Sequence, residues 1–397
     1  MPIAARPLAP GLLLGAFLLL SACYAFTVAP GNAPDEREHV EYVLYLSSHH
    51  ALPVWNWPAD RTTWQARQPP LYYLLETAVL QPFRSSPPLW GLRAMRLFSA
   101  LLHLAAVFLV WRAARALYGD GWMSLGPPLL LAALPMFTFI GATVNNDAAA
   151  NLAGAALLCL LVHAAAHKKP LSAWTVGFVG GIALLCKATM LPVIAVTLFA
   201  LLPSPVHGRG VGGESARKLA LAVGLIAVLA AWFYLRNALL YGDAMGVGAR
   251  FAQYDPDRYA WSQLSTWWAI LFSSFWGRFG QMTQPMSLAA YAEAALLTVA
   301  ALAGWIRDWD RLSRLPVRRL LLAALALTLL QNFIVGFFMS YQPQARLSFT
   351  ALAAWAILSW DGLHATYERF PASSRTRLAW IAAALLVFLN VDAFTHL

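Results

Sequence analysis

Residues 9–39 read APGLLLGAFLLLSACYAFTVAPGNAPDEREH, and they join a long apolar run to a dense polar cluster. The run from Ala9 to Ala29 carries no charged side chain. It is long enough to cross the hydrocarbon core of a bilayer, which is about 30 Å thick. The cluster that follows directly, DEREH at residues 35–39, places two adjacent acids and a histidine beside the membrane. The stretch therefore predicts a first membrane helix and, at its end, a polar site.

The composition extends this pattern to the whole chain. Of its 397 residues, 60% are hydrophobic and only 12% are charged, whereas a soluble domain has about 25% charged residues. The apolar residues come in blocks of about 15 to 25, which predicts an all-α polytopic membrane protein. We predict about eleven transmembrane helices, at residues 9–29, 93–113, 125–144, 148–166, 171–186, 188–202, 219–237, 288–305, 320–340, 346–360 and 378–395.

No soluble domain is visible, so residues 1–397 are predicted to form a single integral membrane domain. Two outer loops are long: residues 30–92, with short surface helices, and residues 238–287. The tetrapeptide LSAC at residues 20–23 resembles a lipoprotein signal box, but the apolar run continues beyond it. We therefore expect a retained signal-anchor helix.

The net charge of +10 falls on one side of this topology. When the N-terminus is placed inside, every short inner loop is basic and the outer segments are neutral in sum. The positive-inside rule then predicts a cytoplasmic N-terminus and a C-terminus on the outer side. Basic inner loops explain the charge without a nucleic-acid partner, and the three cysteines are too few for a disulfide framework or a zinc site.

Unusual polar residues converge on the outer side of the predicted membrane. Ionisable groups at membrane depth are costly, so they tend to be functional. The convergent set comes from six segments and consists of Asp35, Glu36, Arg67, Asn145-Asn146-Asp147, Lys187, Arg236-Asn237, Tyr241-Gly242-Asp243, Arg278 and Arg346.

Asp35 and Glu36 open what reads as a short helix to Leu46. The helix dipole alone favours acids at that position. The functional alternative is a general base or a metal ligand, since a shielded carboxylate can accept a proton from a hydroxyl. His39, one turn further, either orients Asp35, touches substrate or is structural. No cofactor is certain, although a divalent metal could sit at the acid pair.

Arg67, Lys187 and Arg346 are candidate phosphate partners, because basic side chains stabilise a departing anion. The alternatives are an amine that reaches the membrane interface for Lys187 and a helix-end anchor for Arg346. Asn146 and Asp147 either line the same cavity or cap the following helix.

Several of these segments, in order, resemble the bacterial GT-C glycosyltransferases, in the group that contains the family 39 protein mannosyltransferases and the aminoarabinose transferases. The resemblance covers roughly residues 10–360. Its motifs are Pro-Asp-Glu with His at 34–39, Gln-Pro-Pro-Leu-Tyr-Tyr at 68–73, Asn-Asn-Asp at 145–147, Leu-Cys-Lys-Ala-Thr at 185–189, Tyr-Leu-Arg-Asn at 234–237, Tyr-Gly-Asp at 241–243 and Phe-Trp-Gly-Arg-Phe-Gly at 275–280.

The resemblance implies a GT-C-like bundle and a polyprenyl-phosphate sugar as donor, with transfer at the outer face. It implies that Asp35 is the base with Glu36 beside it, and that Lys187 and Arg346 hold the lipid phosphate together with Arg67. The wider cavity set is His39, Gln68, Tyr72, Asn146, Asp147 and Arg278.

The residues and the resemblance together predict an inverting glycosyltransferase of the bacterial inner membrane that acts at the periplasmic face of the bilayer. The acceptor would be an envelope glycolipid, glycan or protein. Two alternatives remain open at this stage. A transporter or flippase of lipid-linked sugars would share the helices and cations, but it favours polar groups through the midplane. A non-catalytic scaffold of the same fold would keep the aspartate.

Overall fold

The structure is a computed structural model that describes residues 8–56, 59–202, 213–246, 261–339 and 342–397. It is 78% helical, which confirms the all-α fold class. The helices are α1 (Ala9–Thr27), α2 (Glu36–His49), α3 (Leu71–Leu80), α4 (Pro88–Tyr118), α5 (Gly126–Ala132), α6 (Pro135–Gly141), α7 (Asp147–Ala166), α8 (Ala173–Cys186), α9 (Leu191–Phe199), α10 (Gly213–Tyr241), α11 (Leu264–Trp276), α12 (Leu288–Arg307), α13 (Trp309–Leu312), α14 (Pro316–Phe333), α15 (Leu352–Tyr367) and α16 (Ala372–Thr395).

Seven of the described helices are long and apolar enough to cross a membrane, so the chain is a multi-pass membrane protein. The predicted span 125–144 is broken between α5 and α6, with a bend of 65°, and it gives an eighth span if the pair is counted as one. Pro135 begins α6 and lacks the amide hydrogen that would continue the helix. The predicted spans 171–186 and 188–202 are the short apolar helices α8 and α9, and the predicted span 346–360 starts as a 3₁₀ turn, Ala345–Ala351, before α15.

Small residues let the helices approach closely. At the crossing of α12 and α15, a Cβ atom added to Gly304 would lie 1.9 Å from the carbonyl oxygen of Gly362. The reciprocal addition at Gly362 would lie 2.1 Å from the carbonyl oxygen of Ala301. Such backbone-to-backbone packing is typical of membrane helices, whose association depends on close van der Waals contact.

The polar segment after α1 is held against the bundle. Asp35 has a left-handed backbone (φ 60°, ψ 7°) and stands immediately before α2. A two-stranded antiparallel hairpin, β1 (Arg278–Phe279) and β2 (Gln284–Pro285), lies nearby. From its turn, Gln281 Nε2 donates to the carbonyl oxygens of Gly31 (2.7 Å) and Ala33 (2.9 Å). The hairpin thus holds the backbone that presents Asp35.

The segment predicted as the first outer loop contains helices α2 and α3. In the segment predicted as the second outer loop, α11 and the hairpin follow residue 260, and residues 247–260 lie outside the described residues. The buried Trp267 indole on α11 donates to the carbonyl oxygen of Gly336 (3.2 Å), so this loop also packs onto the bundle.

Candidate active site

A cavity of about 250 Å³ opens at the end of the bundle that carries α2 and α3. Its walls come from both predicted outer loops and from the ends of α7, α8 and α14. Seven of the residues selected from the sequence line it: Asp35, His39, Arg67, Gln68, Asn146, Lys187 and Arg346.

Four charged side chains form a continuous network at this cavity. Lys187 Nζ donates to Asp147 Oδ1 at 2.5 Å, and Arg346 Nη1 donates to Asp147 Oδ2 at 3.3 Å. The other Nη of Arg346 donates to Asp35 Oδ2. The side chain of Asp35 is 35% exposed, against 2% for Asp147 and 4% for Arg346. Asp35 is therefore the carboxylate of the network that reaches open space.

The Asn-Asn-Asp turn before α7 joins three parts of the site. Asn145 Oδ1 accepts from the amide of Asp147 (2.9 Å), while its Nδ2 donates to the carbonyl oxygen of Pro34 (3.2 Å). Asn146 Nδ2 donates to Gln68 Oε1 (3.3 Å) and makes a longer contact with the carbonyl oxygen of Cys186 (3.4 Å). The turn thus links the Asp35 segment, the first outer loop and the end of α8, and Asn146 makes no side-chain cap bond to α7.

Lys187 lies in the break between α8 and the 3₁₀ turn Ala188–Met190. The side chain of Lys187 is buried, and its Nζ lies 2.5 Å from Oδ1 of the buried Asp147. The amine therefore does not extend to a membrane interface. Arg346 is likewise buried in the turn that precedes α15. Lys187 and Arg346, two basic residues in apolar stretches of the sequence, therefore both contact Asp147.

Glu36 faces away from this network. Its carboxylate accepts from Arg96 Nε (2.8 Å) and Nη2 (2.6 Å), and both side chains are 1% exposed. It also accepts from the amides of Gly31 (3.0 Å) and Val144 (3.1 Å). Adjacent positions at a helix start point in different directions, and here one acid joins the cavity while the other joins a buried ion pair.

Arg96 is not among the candidate residues that the sequence analysis identifies. It also donates to the carbonyl oxygens of Ala25, Val28 and Ala29, at 3.0, 2.6 and 3.2 Å, and so closes the end of α1. The signal that would have revealed it is an arginine inside the predicted span 93–113, where a charge needs a partner.

Arg67 lines the cavity, but its guanidinium is engaged elsewhere. It lies 5.0 Å from the ring of Trp55 and 5.5 Å from that of Trp64, and Nη1 donates to the carbonyl oxygen of Gly246 at 2.5 Å. Asn237 Nδ2 donates to the carbonyl oxygen of Arg67 (3.0 Å). The residue connects the first outer loop to the segment after α10.

Tyr72 and Arg278 do not line the cavity. The hydroxyl of Tyr72 hydrogen-bonds Ser99 Oγ (2.8 Å), which donates to the buried Glu76 (2.9 Å). Burial raises the pKa of Glu76 to about 8. Arg278 Nε donates to the carbonyl oxygen of Met282 (2.5 Å) within the hairpin.

His39 is buried against the cavity, and its Nδ1 hydrogen-bonds the hydroxyl of Tyr73 at 2.8 Å. The pKa of His39 is lowered to about 3, chiefly by burial; the charges of Asp35 and Asp147 raise it, and those of Lys187 and Arg346 lower it. The imidazole is therefore neutral at ordinary pH.

The acid pair does not fit a metal held by both carboxylates, since Asp35 bonds Arg346 and Glu36 bonds Arg96. Among the residues with described positions, no three His, Cys, Asp or Glu side chains are grouped to hold a metal ion.

The geometry belongs to a known class of membrane fold. A family model described as dolichyl-phosphate-mannose-protein mannosyltransferase matches residues 68–234, which is less than half of the chain. Solved structures of GT-C enzymes match nearly all of it. The chain therefore has the GT-C fold that the sequence resemblance implies.

Three structures illustrate the likeness. ArnT from Cupriavidus metallidurans bound to undecaprenyl phosphate gives a TM-score of 0.57 at 15% identity, over 96% of this chain and 64% of that one. The oligosaccharyltransferase of Archaeoglobus fulgidus in complex with Zn and sulfate gives 0.56 at 13% identity, over 96% and 53%. The same enzyme tethered to an acceptor peptide with an NVT sequon gives 0.55 at 12% identity, over 98% and 55%.

The chain spans less than two thirds of the length of these structures. A search of curated proteins found no match.

Proposed function

We propose that this protein is a membrane glycosyltransferase that transfers a sugar from a polyprenyl-phosphate donor to an acceptor hydroxyl, with inversion. The observation that carries the proposal is the network of two buried cations and one accessible carboxylate on a single cavity. These are the groups that such a reaction needs: a base for the incoming hydroxyl and positive charge for the departing phosphate. A family-model match to sugar transferases that use dolichyl phosphate points the same way.

Lys187 and Arg346 are the proposed phosphate ligands. Both are held by Asp147, and Arg346 also by Asp35, so the cations are fixed in position before a donor arrives. A donor phosphate would share or replace these carboxylates. Arginine suits this exchange, because its planar fork can contact a carboxylate and a phosphate at once. The undecaprenyl phosphate in the ArnT crystal supports a lipid phosphate as the ligand.

Asp35 is the proposed base. It takes the proton of the acceptor hydroxyl, whose oxygen forms a bond to the anomeric carbon. The bond from that carbon to the phosphate oxygen breaks, and its electron pair leaves with the polyprenyl phosphate. One displacement at the anomeric carbon inverts its configuration. Glu36, paired with Arg96, is assigned the structural task of holding the Asp35 segment to α1 and α4.

Gln68 and Asn146, which hydrogen-bond one another at the cavity wall, are the proposed sugar contacts. The cavity of about 250 Å³ is slightly below the roughly 300 Å³ at which small-molecule pockets commonly begin, which suits one sugar phosphate with the lipid outside. The basic inner loops favour a periplasmic position for this cavity. The acceptor is an envelope glycolipid, glycan or protein, and peptide acceptance by the archaeal enzyme illustrates one of these cases.

The test measures sugar release from radiolabelled polyprenyl-phosphate sugars by purified protein in bilayers, with a panel of acceptors. Asp35→Asn should abolish transfer while donor binding persists. Glu41→Gln is the matched control, since Glu41 is an acid of the same surface helix that pairs with the exposed Arg37 and does not line this cavity. Donor binding without turnover by the wild-type protein across the panel would refute the proposal in favour of a flippase or a scaffold.

A further inference from the structure

The contact between Tyr73 and His39 determines what the histidine presents to the cavity. Tyr73 lies on α3, is fully buried, and stacks on Tyr42 with ring centroids 4.0 Å apart. Its hydroxyl is 2.8 Å from His39 Nδ1, which is its sole hydrogen-bond partner among the described residues. His39 Nε2, by contrast, makes no hydrogen bond to any described residue, and the ring lines the cavity beside Asp35.

Counting donors and acceptors assigns the tautomer. A buried phenol has one proton to donate, and leaving it without an acceptor costs about 1–3 kcal/mol. If Nδ1 carried the ring proton, the hydroxyl of Tyr73 would have to accept, and its own proton would find no partner in the described surroundings. If Tyr73 donates to Nδ1, both atoms are satisfied. The ring proton is then on Nε2, the ring nitrogen that has no hydrogen-bond partner among the described residues, and the ring lines the cavity.

We propose that His39 acts as a neutral hydrogen-bond donor, through Nε2–H, to an oxygen atom of the bound sugar, and that Tyr73 is the positioning residue that fixes this tautomer. The inference rests on the proposed function for its substrate class. It assigns to Tyr73 a role beyond packing and makes His39 a substrate contact.

The electrostatic surroundings agree with this assignment. The pKa of His39 is lowered to about 3, chiefly by burial, with Lys187 and Arg346 lowering it and Asp35 and Asp147 raising it. A general base works best with a pKa near the operating pH. The imidazole stays neutral, and its acceptor nitrogen is already occupied by a phenol. It is therefore suited to donate a hydrogen bond to substrate and not to accept a proton from it.

The experiment compares His39→Gln, His39→Leu, Tyr73→Phe and the double variant His39→Gln/Tyr73→Phe. For each, kcat and KM are measured in bilayers with the polyprenyl-phosphate sugar that the wild type turns over, and thermal unfolding is followed in parallel. His39→Leu should lower kcat/KM about tenfold, the scale of one lost hydrogen bond to substrate. His39→Gln, whose amide can donate from nearly the same place, should stay within about threefold of wild type.

Tyr73→Phe should lower kcat/KM about threefold in the wild-type background, because the ring proton then divides between the two nitrogens. It should have no further effect in the His39→Gln background, since an amide has no tautomer to fix. A loss of similar size in both backgrounds, or equal losses for His39→Gln and His39→Leu, would overturn the proposal. So would the disappearance in both His39 variants of a titration that limits kcat/KM in the wild type.

A second readout needs no turnover. In protein labelled with ¹⁵N-histidine, the ring resonances of His39 can be assigned among the nine histidines by their absence in His39→Gln. The proton should be on Nε2 in the wild type and shared in Tyr73→Phe, while a proton on Nδ1 in the wild type would refute the tautomer. An inactive wild type with the expected tautomer would count against the proposed function alone.

Discussion

Glu36→Gln should separate the two adjacent acids into a structural and a chemical one. The carboxylate of Glu36 receives four hydrogen bonds, two from Arg96 and one each from the amides of Gly31 and Val144. A glutamine in its place would turn an NH₂ group toward donors and leave the buried guanidinium of Arg96 without a counter-charge. The change should therefore destabilise the protein more than it slows the chemistry.

The magnitude follows from the burial of the pair. Both side chains are 1% exposed, and removing one partner of a buried ion pair costs about 3–5 kcal/mol. Such a loss lowers the unfolding temperature by an amount on the order of 5 °C or more. Asp35→Asn should cost much less, because Arg346 keeps hydrogen bonds to Asp147 and, through Nε, to Gln344 (2.7 Å).

The assay is thermal unfolding of both variants in one detergent, together with turnover in bilayers well below the transition. We expect Glu36→Gln to unfold early yet keep turnover within about tenfold of wild type. Asp35→Asn should unfold near the wild-type temperature and lose about 10²–10⁴ in rate, the range of a general base. Adding Arg96→Met to Glu36→Gln should restore part of the lost stability, since no unpaired charge remains. Normal unfolding with abolished turnover for Glu36→Gln, combined with an active Asp35→Asn, would refute the reasoning and make Glu36 the base.

Three further changes test other parts of the structure. Burial raises the pKa of Glu76 from an ordinary 4.5 to about 8, so on raising the pH the unfolded chain loses this proton before the folded protein does. The free energy of unfolding should therefore fall by about 1.4 kcal/mol per pH unit between those two values. Glu76→Gln should remove this dependence in unfolding scans from pH 5 to 8. Lys187→Met should weaken donor binding at least tenfold in a lipid-phosphate binding assay, whereas equal binding would exclude Lys187 as a phosphate ligand. Gly304→Ala should lower the unfolding temperature, because its Cβ would lie 1.9 Å from the carbonyl oxygen of Gly362, and an unchanged transition would show that the helices can separate at no cost.

The fold could be predicted from the sequence because it depends on a coarse signal. Apolar length identifies membrane helices, and each of the seven described helices that could cross a bilayer overlaps a predicted span. The prediction missed α11, an apolar helix in the segment predicted as the second outer loop. The positions at which spans break depend on local interactions and not on apolar length. The bend before Pro135 and the 3₁₀ turn at Arg346 follow from backbone geometry and from polar contacts that no hydropathy window contains.

The site was predictable where the signal was a charge in an apolar setting. Lys187 and Arg346 stand out in the sequence for that reason, and the structure brings both to Asp147. Glu36 and Asp35 could not be separated, because their difference lies in which way each points from the start of α2. The partner that distinguishes them, Arg96, is 60 residues away in the chain.

The charge balance of the cavity connects the two parts of the proposed reaction, which are proton removal from the acceptor and departure of the phosphate. The four network residues, two cations and two carboxylates, are neutral in sum. A polyprenyl-phosphate sugar brings one negative charge, and its departing phosphate gains nearly a second one at neutral pH. In the proposed reaction, the proton that Asp35 takes from the acceptor cancels one carboxylate as that second charge appears, so the net charge of the site would not change during transfer. Arg346 contacts Asp35, and in this scheme it would lose that ion pair as the carboxylate is neutralised, while its bonds to Asp147 and Gln344 hold it in place. The same guanidinium can then turn its fork to the leaving phosphate, which makes proton removal and leaving-group stabilisation parts of one event and not two independent contributions.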